Sequence, residues 1–301
     1  MCYIYCMETN FYKKCTLCPR NCGADRTAKA GVCGMGADLV VARAALHHYE
    51  EPVISGTRGS GAIFFAGCNM GCVYCQNREI SRDGFGRKIT PQRLAQIFDE
   101  LIAQGAQTIN LVTPTHFVPQ IAEALAINRP AVPVVFNCSG YEKVDTLKLI
   151  APYVDVYLPD FKYADPAIAQ KYSKCADYPA VAIDAIRFMT EQKPVPQFNR
   201  DGIMTSGVIV RHLVLPGATD NSVKALELLT PFKGKILLSL MSQYTPLFNG
   251  DLPVKLQRKI TPLEYKRVLA KAESLGLTDG FMQELSSAES EFVPNFDLTG
   301  V

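Results

Sequence analysis

The chain has 301 residues, with 31 basic and 29 acidic side chains, a net charge of +2 and no tryptophan. This length suits one large domain or two small ones and provides for a sizeable core. The near-neutral balance argues against a general nucleic-acid binder, and no apolar run reaches the ~18 residues that span a bilayer.

Met1 to Lys14 carries one Glu and two Lys, so no secretory signal is expected there. A cytoplasmic, reducing compartment follows, and disulfides are disfavoured in it. Eleven cysteines are then unusual, and nine of them lie in the first 75 residues. Cysteines used as small core hydrophobes would be scattered. Here they are concentrated, which points to metal binding or catalysis.

In chain order, residues 11–36 are rich in Cys, Gly, Lys and Arg and show little periodicity. Asp38 to Tyr49 reads as extended or hairpin structure, and Ser55 to Gly61 (SGTRGSG) as a flexible connector. A boundary near Gly56 divides the chain into a cysteine-rich segment, 1–55, and a main domain, 56–301. A β–α alternation follows. Strands are expected at 61–66, 108–112, 132–137, 154–158, 208–215 and 236–241. Thr90-Pro91 starts a helix that ends at Gly105, with Leu94, Ile97, Phe98, Leu101 and Ile102 on one face. Further helices are expected at 119–128, 142–149, 179–190 and 261–275. Six apolar strands of this kind form a parallel sheet, closed into a full or partial barrel or open and doubly wound. Both architectures build their sites at the C-terminal strand ends.

The first strand runs into Gly67-Cys68-Asn-Met-Gly-Cys72-Val-Tyr-Cys75. Three cysteines at this spacing bring three thiolates to one side of a loop, as iron–sulfur clusters require. Three protein ligands on a four-iron cluster leave one iron open. Zinc prefers four ligands, and no fourth follows nearby.

The loop resembles the signature of radical S-adenosylmethionine (SAM) enzymes. Over nearly its whole length the chain resembles the pyruvate formate-lyase activating-enzyme-like group, in its longer form with an N-terminal cysteine segment. That resemblance implies a partial (β/α)6 TIM-like barrel. It implies that Cys68, Cys72 and Cys75 hold a [4Fe–4S] cluster whose open iron chelates SAM. It implies a 5′-deoxyadenosyl radical that abstracts a substrate hydrogen, and a reductant such as flavodoxin or ferredoxin. Tyr74 matches a position that lies against the adenine. Thr113 to His116 stands where the family often has Gly-Gly-Glu, so backbone roles for Thr113 and Thr115 toward the methionine moiety are expected in spite of that departure. His116 is expected to be a plain hydrogen-bonding residue. Asn137 and Ser139 fall where the family places groups near the ribose, with Cys138 between them as a buried filler.

Asp160 and Lys162 stand two apart at the fourth strand end, so they share a face; relatives use such a pair near the methionine moiety. Arg211 and His212 lie within one strand and face opposite ways. The family pattern turns Arg211 inward. Gln243 is expected to face the site and Met241 to pack.

Cys15, Cys18, Cys22 and Cys33 give four thiolates in nineteen residues, which suits a structural zinc or a second iron–sulfur cluster equally. Cys2 and Cys6 read as incidental. The leading reading is a radical SAM enzyme, with activation of a glycyl-radical enzyme as its expected task. The rivals are a radical SAM enzyme acting on a small molecule or peptide, and a non-catalytic metal-binding or electron-transfer protein.

Overall fold

The computed structural model describes residues 11–247, 252–285 and 294–301. Cys2 and Cys6 lie outside the described residues.

Ten strands form the sheet: β1 (Leu39–His47), β2 (Ser60–Phe65), β3 (Arg87–Ile89), β4 (Ile109–Val112), β5 (Val134–Cys138), β6 (Val156–Pro159), β7 (Gln197–Phe198), β8 (Met204–Leu213), β9 (Leu237–Met241) and β10 (Gly280–Met282). Their order is β10-β9-β8-β6-β5-β4-β2-β1-β3, with β7 beside β8. The run β2-β4-β5-β6-β8-β9 is parallel throughout and contains the six strands expected from the sequence. The architecture is therefore α/β, a partial barrel with edges at β3 and β10.

Four strands stand outside those six. β1, in the segment read as extended, pairs antiparallel with β2 and β3, β7 lies antiparallel beside β8, and β10 joins β9 in parallel. β1 precedes the boundary expected near Gly56, so sheet hydrogen bonding runs across that point. The connector expected to be flexible is ordered. Its Arg58 N–H donates to the Gln107 side-chain oxygen at 2.8 Å, and the helix Pro52–Ser55 precedes it.

Helices return the chain between the parallel strands. Pro91–Ala103 starts as expected, with the Thr90 side chain accepting the Arg93 N–H and Pro at the first position. Leu94, Ile97, Phe98 and Leu101 are buried at helical spacing against the outer face of the sheet.

Strand alternation then sorts the residues. Val134 and Phe136 of β5 and Val208 and Val210 of β8 join the large core under the helices. Val135, Val156, Leu158 and Ile209 form a separate core on the concave face, closed by Ile54. Two residues further along each strand, that concave face reaches Asn137, Asp160 and Arg211. A period of two thus carries each strand from an apolar floor to a polar rim at its C-terminal end.

Candidate active site

The rim is held in register by backbone pairing. Asp160 and Arg211 are bridged in parallel, and the Asp160 N–H donates to the Cys138 carbonyl at 2.9 Å. Gly140 makes the approach of β5 to β6 close. Its φ is +76°, and a Cβ there would stand 2.1 Å from the Asp160 carbonyl oxygen.

One polar network joins these strand ends. Arg211 donates from Nε to Asp160 Oδ1 at 2.9 Å, from a terminal nitrogen to Asn137 Oδ1 at 2.6 Å, and toward Glu50 Oε2 at 3.3 Å. Lys162 Nζ donates to Asp160 Oδ2. Asn137 Nδ2 donates to Glu50 Oε2 at 3.1 Å. The side chains of Asp160, Lys162 and Arg211 are 20%, 19% and 13% exposed, so this is an internal network. Burial works against charge at Asp160, but Arg211 and then Lys162 outweigh it and hold the carboxyl below its ordinary value. Burial likewise disfavours the Lys162 ammonium, yet Asp160 keeps it above the usual lysine value.

Above the network lies the cysteine loop. Gly67 turns the chain there with φ +81°, and a Cβ would strike Met35 Cγ at 2.3 Å and the Cys33 carbonyl at 2.7 Å. That carbonyl accepts the Cys68 N–H at 3.1 Å, which ties the N-terminal segment to the loop. Cys68, Cys72 and Cys75 are free thiols, and all three line one cavity of about 160 Å³ with Thr113, Asn137 and Ser139. A larger space of about 230 Å³ adjoins it, lined by Cys72, Tyr74, Asp160, Lys162, Arg211 and Gln243. Burial pushes the Cys68 thiol up to about 12, and the neighbouring Cys72 and Cys75 add to the shift. Thiols that line one cavity, Cys72 buried and Cys68 and Cys75 half-buried, are a donor set for a cation that takes them as thiolates.

Among the described residues no three His, Cys, Asp or Glu side chains close around one point where a single metal ion would sit. Ligands of one ion all lie within a bond length of it. Thiolates that each bind a different iron of a cluster stand farther apart. Cys68, Cys72 and Cys75 line one cavity, and three thiolates that each bind a different iron suit a cluster. The zinc or second iron–sulfur cluster expected at Cys15, Cys18, Cys22 and Cys33 draws no support from these positions. Three of those thiols are buried and Cys22 is half-buried.

Of the other expected residues, Tyr74 is buried at the cavity wall, its hydroxyl 2.7 Å from that of Tyr163. Thr113 lines the cavity with φ +61°, a strained backbone for a β-branched residue, and its N–H is taken by the Asn137 carbonyl at 2.9 Å. Thr115 is not among the cavity-lining residues; its hydroxyl donates to Glu142 at 2.9 Å. His116 packs against the Ala66 carbonyl through Nε2 at 2.7 Å, and burial drives its value down to about 3. His212 faces away from Arg211, with Nδ1 2.6 Å from the Phe161 carbonyl and Nε2 2.9 Å from the Ser222 hydroxyl. Gln243 and Met241 both line the cavity.

Sequence reasoning missed Glu50, Glu51 and Ser173. The first two follow β1 where the spacing suggested only a boundary. Ser173 is 101 residues from the cysteine it meets.

Fold and site together define an iron–sulfur, SAM-dependent class of enzyme. Residues 62–229 match the model of the radical SAM superfamily, and the chain belongs to that family, whose cofactors are a [4Fe–4S] cluster and SAM. The chain is 29% identical over 278 residues to an uncharacterized protein of Methanocaldococcus jannaschii, covering 89% of this chain and 77% of that one. It is similar in fold to SuiB of Streptococcus suis, with a TM-score of 0.50, 11% identity and 76% of this chain covered; it spans 50% of that chain's length. No helix of the described residues is long and apolar enough to cross a membrane.

Proposed function

We propose that this radical SAM enzyme takes a hydrogen atom from a substrate held beyond Arg211, and that the substrate is a glycine-bearing loop of a glycyl-radical enzyme, as in the pyruvate formate-lyase activating-enzyme-like group. One observation carries the reading. The cavity beneath Cys72 and Cys75 runs past Arg211, Met241 and Gln243 into a further chamber of about 460 Å³. Bound together, the cluster and SAM supply the electron and the 5′-deoxyadenosyl radical of this chemistry. Cys68, Cys72 and Cys75 would hold the cluster. Lys162 offers its ammonium to the SAM carboxylate, and Tyr74 offers an apolar face to the adenine. Asn137 and Ser139 stand at the rim for the ribose. Asp160 and Arg211 fix these groups relative to one another, and the apolar floor below keeps water from the radical. A flavodoxin or ferredoxin is the proposed reductant.

A second reading, a small-molecule or peptide substrate, is favoured by the chamber's volume, which falls within the range of small-ligand pockets. A carrier without catalysis would need the thiolates but not the polar rim that faces them.

The test is anaerobic reconstitution, reduction with dithionite, and assay of 5′-deoxyadenosine released from SAM. Release is expected, and Ala at any one of Cys68, Cys72 or Cys75 should abolish it. Chains lacking the four N-terminal thiols should still retain iron and sulfide; loss of both would remove the cluster from the loop. With a glycyl-radical enzyme encoded beside this gene, a glycyl signal in electron paramagnetic resonance (EPR) is expected. Deoxyadenosine release without that signal would leave the second reading.

A further inference from the structure

The chamber beyond Arg211 has a charge of its own. Three carboxylates meet there or at its edge, those of Glu50, Glu51 and Asp160, against two cations, Arg211 and Lys162. Asp160 is bonded to both cations. Glu50 is bonded to Arg211 and accepts from Asn137 as well. Glu51 feels the Arg211 charge but forms an ion pair with neither cation. Glu51 is 8% exposed, lines the chamber, and its Oε2 has no hydrogen-bond partner among the described residues. Ser239 lines the same chamber, and burial pushes Glu51 up to about 7, with Arg211 opposing. A buried carboxyl with an unused oxygen is costly to keep without a donor.

We propose that Glu51 anchors a cationic alkylammonium group of the hydrogen-donor substrate, which makes this chamber the specificity pocket of the enzyme. The inference rests on the reading that the substrate lies beyond Arg211. An ammonium at Glu51 would restore the charge balance and supply the missing donor. Its three N–H groups would also suit the Ser239 hydroxyl and the second lone pairs of the Gln243 and Gln283 side-chain oxygens, each of which already accepts one bond, all lining the same space. An anionic group in that position would add negative charge beside two carboxyls that burial already makes harder to ionise.

The ammonium could belong to a free amine or to a lysyl side chain. Two probes separate these sources: 1,5-diaminopentane and the blocked tripeptide Gly-Lys-Gly. Both are titrated calorimetrically into the full, cluster-reconstituted chain at pH 8, with 1,5-pentanediol as the uncharged comparison. At least one cation should bind, and the diol should not. The tighter of the two cations identifies the source. Glu51→Gln should weaken that binding by about tenfold to a hundredfold, the range of a charge-assisted bond. Glu51→Asp, which keeps the charge, should stay closer to wild type. Affinity for the cations no better than for the diol, or unchanged affinity in Glu51→Gln, would overturn the proposal. If Glu51→Gln does not fold, the wild-type comparison of cation with diol still decides. Release of 5′-deoxyadenosine from SAM is measured separately on the wild type. Its absence would sink the radical reading, whatever the amine binding shows.

Discussion

The hydroxyl of Ser173 donates to Cys72 Sγ at 2.9 Å, and both residues are buried. It is also 2.8 Å from the Tyr163 hydroxyl, which is 2.7 Å from that of Tyr74. The chain of hydroxyls thus ends on one of the three proposed cluster ligands. A hydrogen bond to a ligand sulfur stabilises the more electron-rich state and raises a cluster's potential. In Ser173→Ala, redox titration followed by EPR should give a more negative midpoint. An unchanged midpoint would mean that Ser173 only fills space.

Arg211 and Lys162 both serve Asp160, but with unequal reach. Arg211 also holds Glu50 and Asn137, so removing it leaves two buried carboxylates short of a partner. Breaking a buried pair in that way costs about 3–5 kcal/mol. Lys162 meets Asp160 alone. Thermal unfolding should therefore rank Arg211→Ala well below Lys162→Ala. Equilibrium dialysis should show Lys162→Ala binding SAM about tenfold to a hundredfold more weakly, with its melting temperature near wild type. Affinity within about twofold of wild type would remove Lys162 from the SAM site.

Arg26 is 2% exposed and holds the N-terminal segment down. It donates to the carbonyls of Met35 at 3.1 Å, Gly36 at 2.6 Å and His116 at 2.7 Å, and its guanidinium lies over the Tyr12 ring. Arg26→Met keeps much of the volume and strands the Gly36 and His116 carbonyls, each worth about 1–3 kcal/mol when buried without a partner, while the Met35 carbonyl keeps the Gly31 N–H at 3.0 Å. A drop in melting temperature and earlier proteolysis before residue 36 are expected. A melting temperature like that of wild type would show that the segment is held by other means.

Glu264 caps the helix Pro262–Leu275. Two bonds from Arg258, each 2.7 Å, are the main cause that its carboxyl sits well below the ordinary 4.5, with burial opposing and the Thr261 and Gly217 N–H groups helping. A depressed carboxylate adds stability that is complete above its unfolded value and lost as pH falls toward its folded one. Glu264→Gln should lower the melting temperature by about 2 °C at neutral pH. The gap should narrow between pH 5 and pH 3, where the unfolded carboxyl of the wild type takes up its proton. A gap that stays constant over that range would mean that charge plays no part.

The sequence by itself determined the parallel α/β class, the six central strands and the place of the cysteine loop. Those features are written in local patterns: apolar runs for buried strands, Thr-Pro and Gly for helix ends, and close spacing for the thiols. It also marked Asp160 and Lys162 by their place at a strand end, while Asn137 and the inward side of Arg211 came from the family resemblance. Only the tertiary structure brought Arg211 onto Asp160 across 51 residues and Glu50 onto Arg211 across 161. Only it turned His212 into the core, set Thr115 against Glu142, and put the Ser173 hydroxyl on Cys72. The connector read as flexible became an ordered turn, and β1 entered the sheet before the expected boundary, since both depend on partners far away in the chain. Local patterns decide what each segment forms. Which side chains meet is decided by sheet register and strand order, and no short window of sequence contains either.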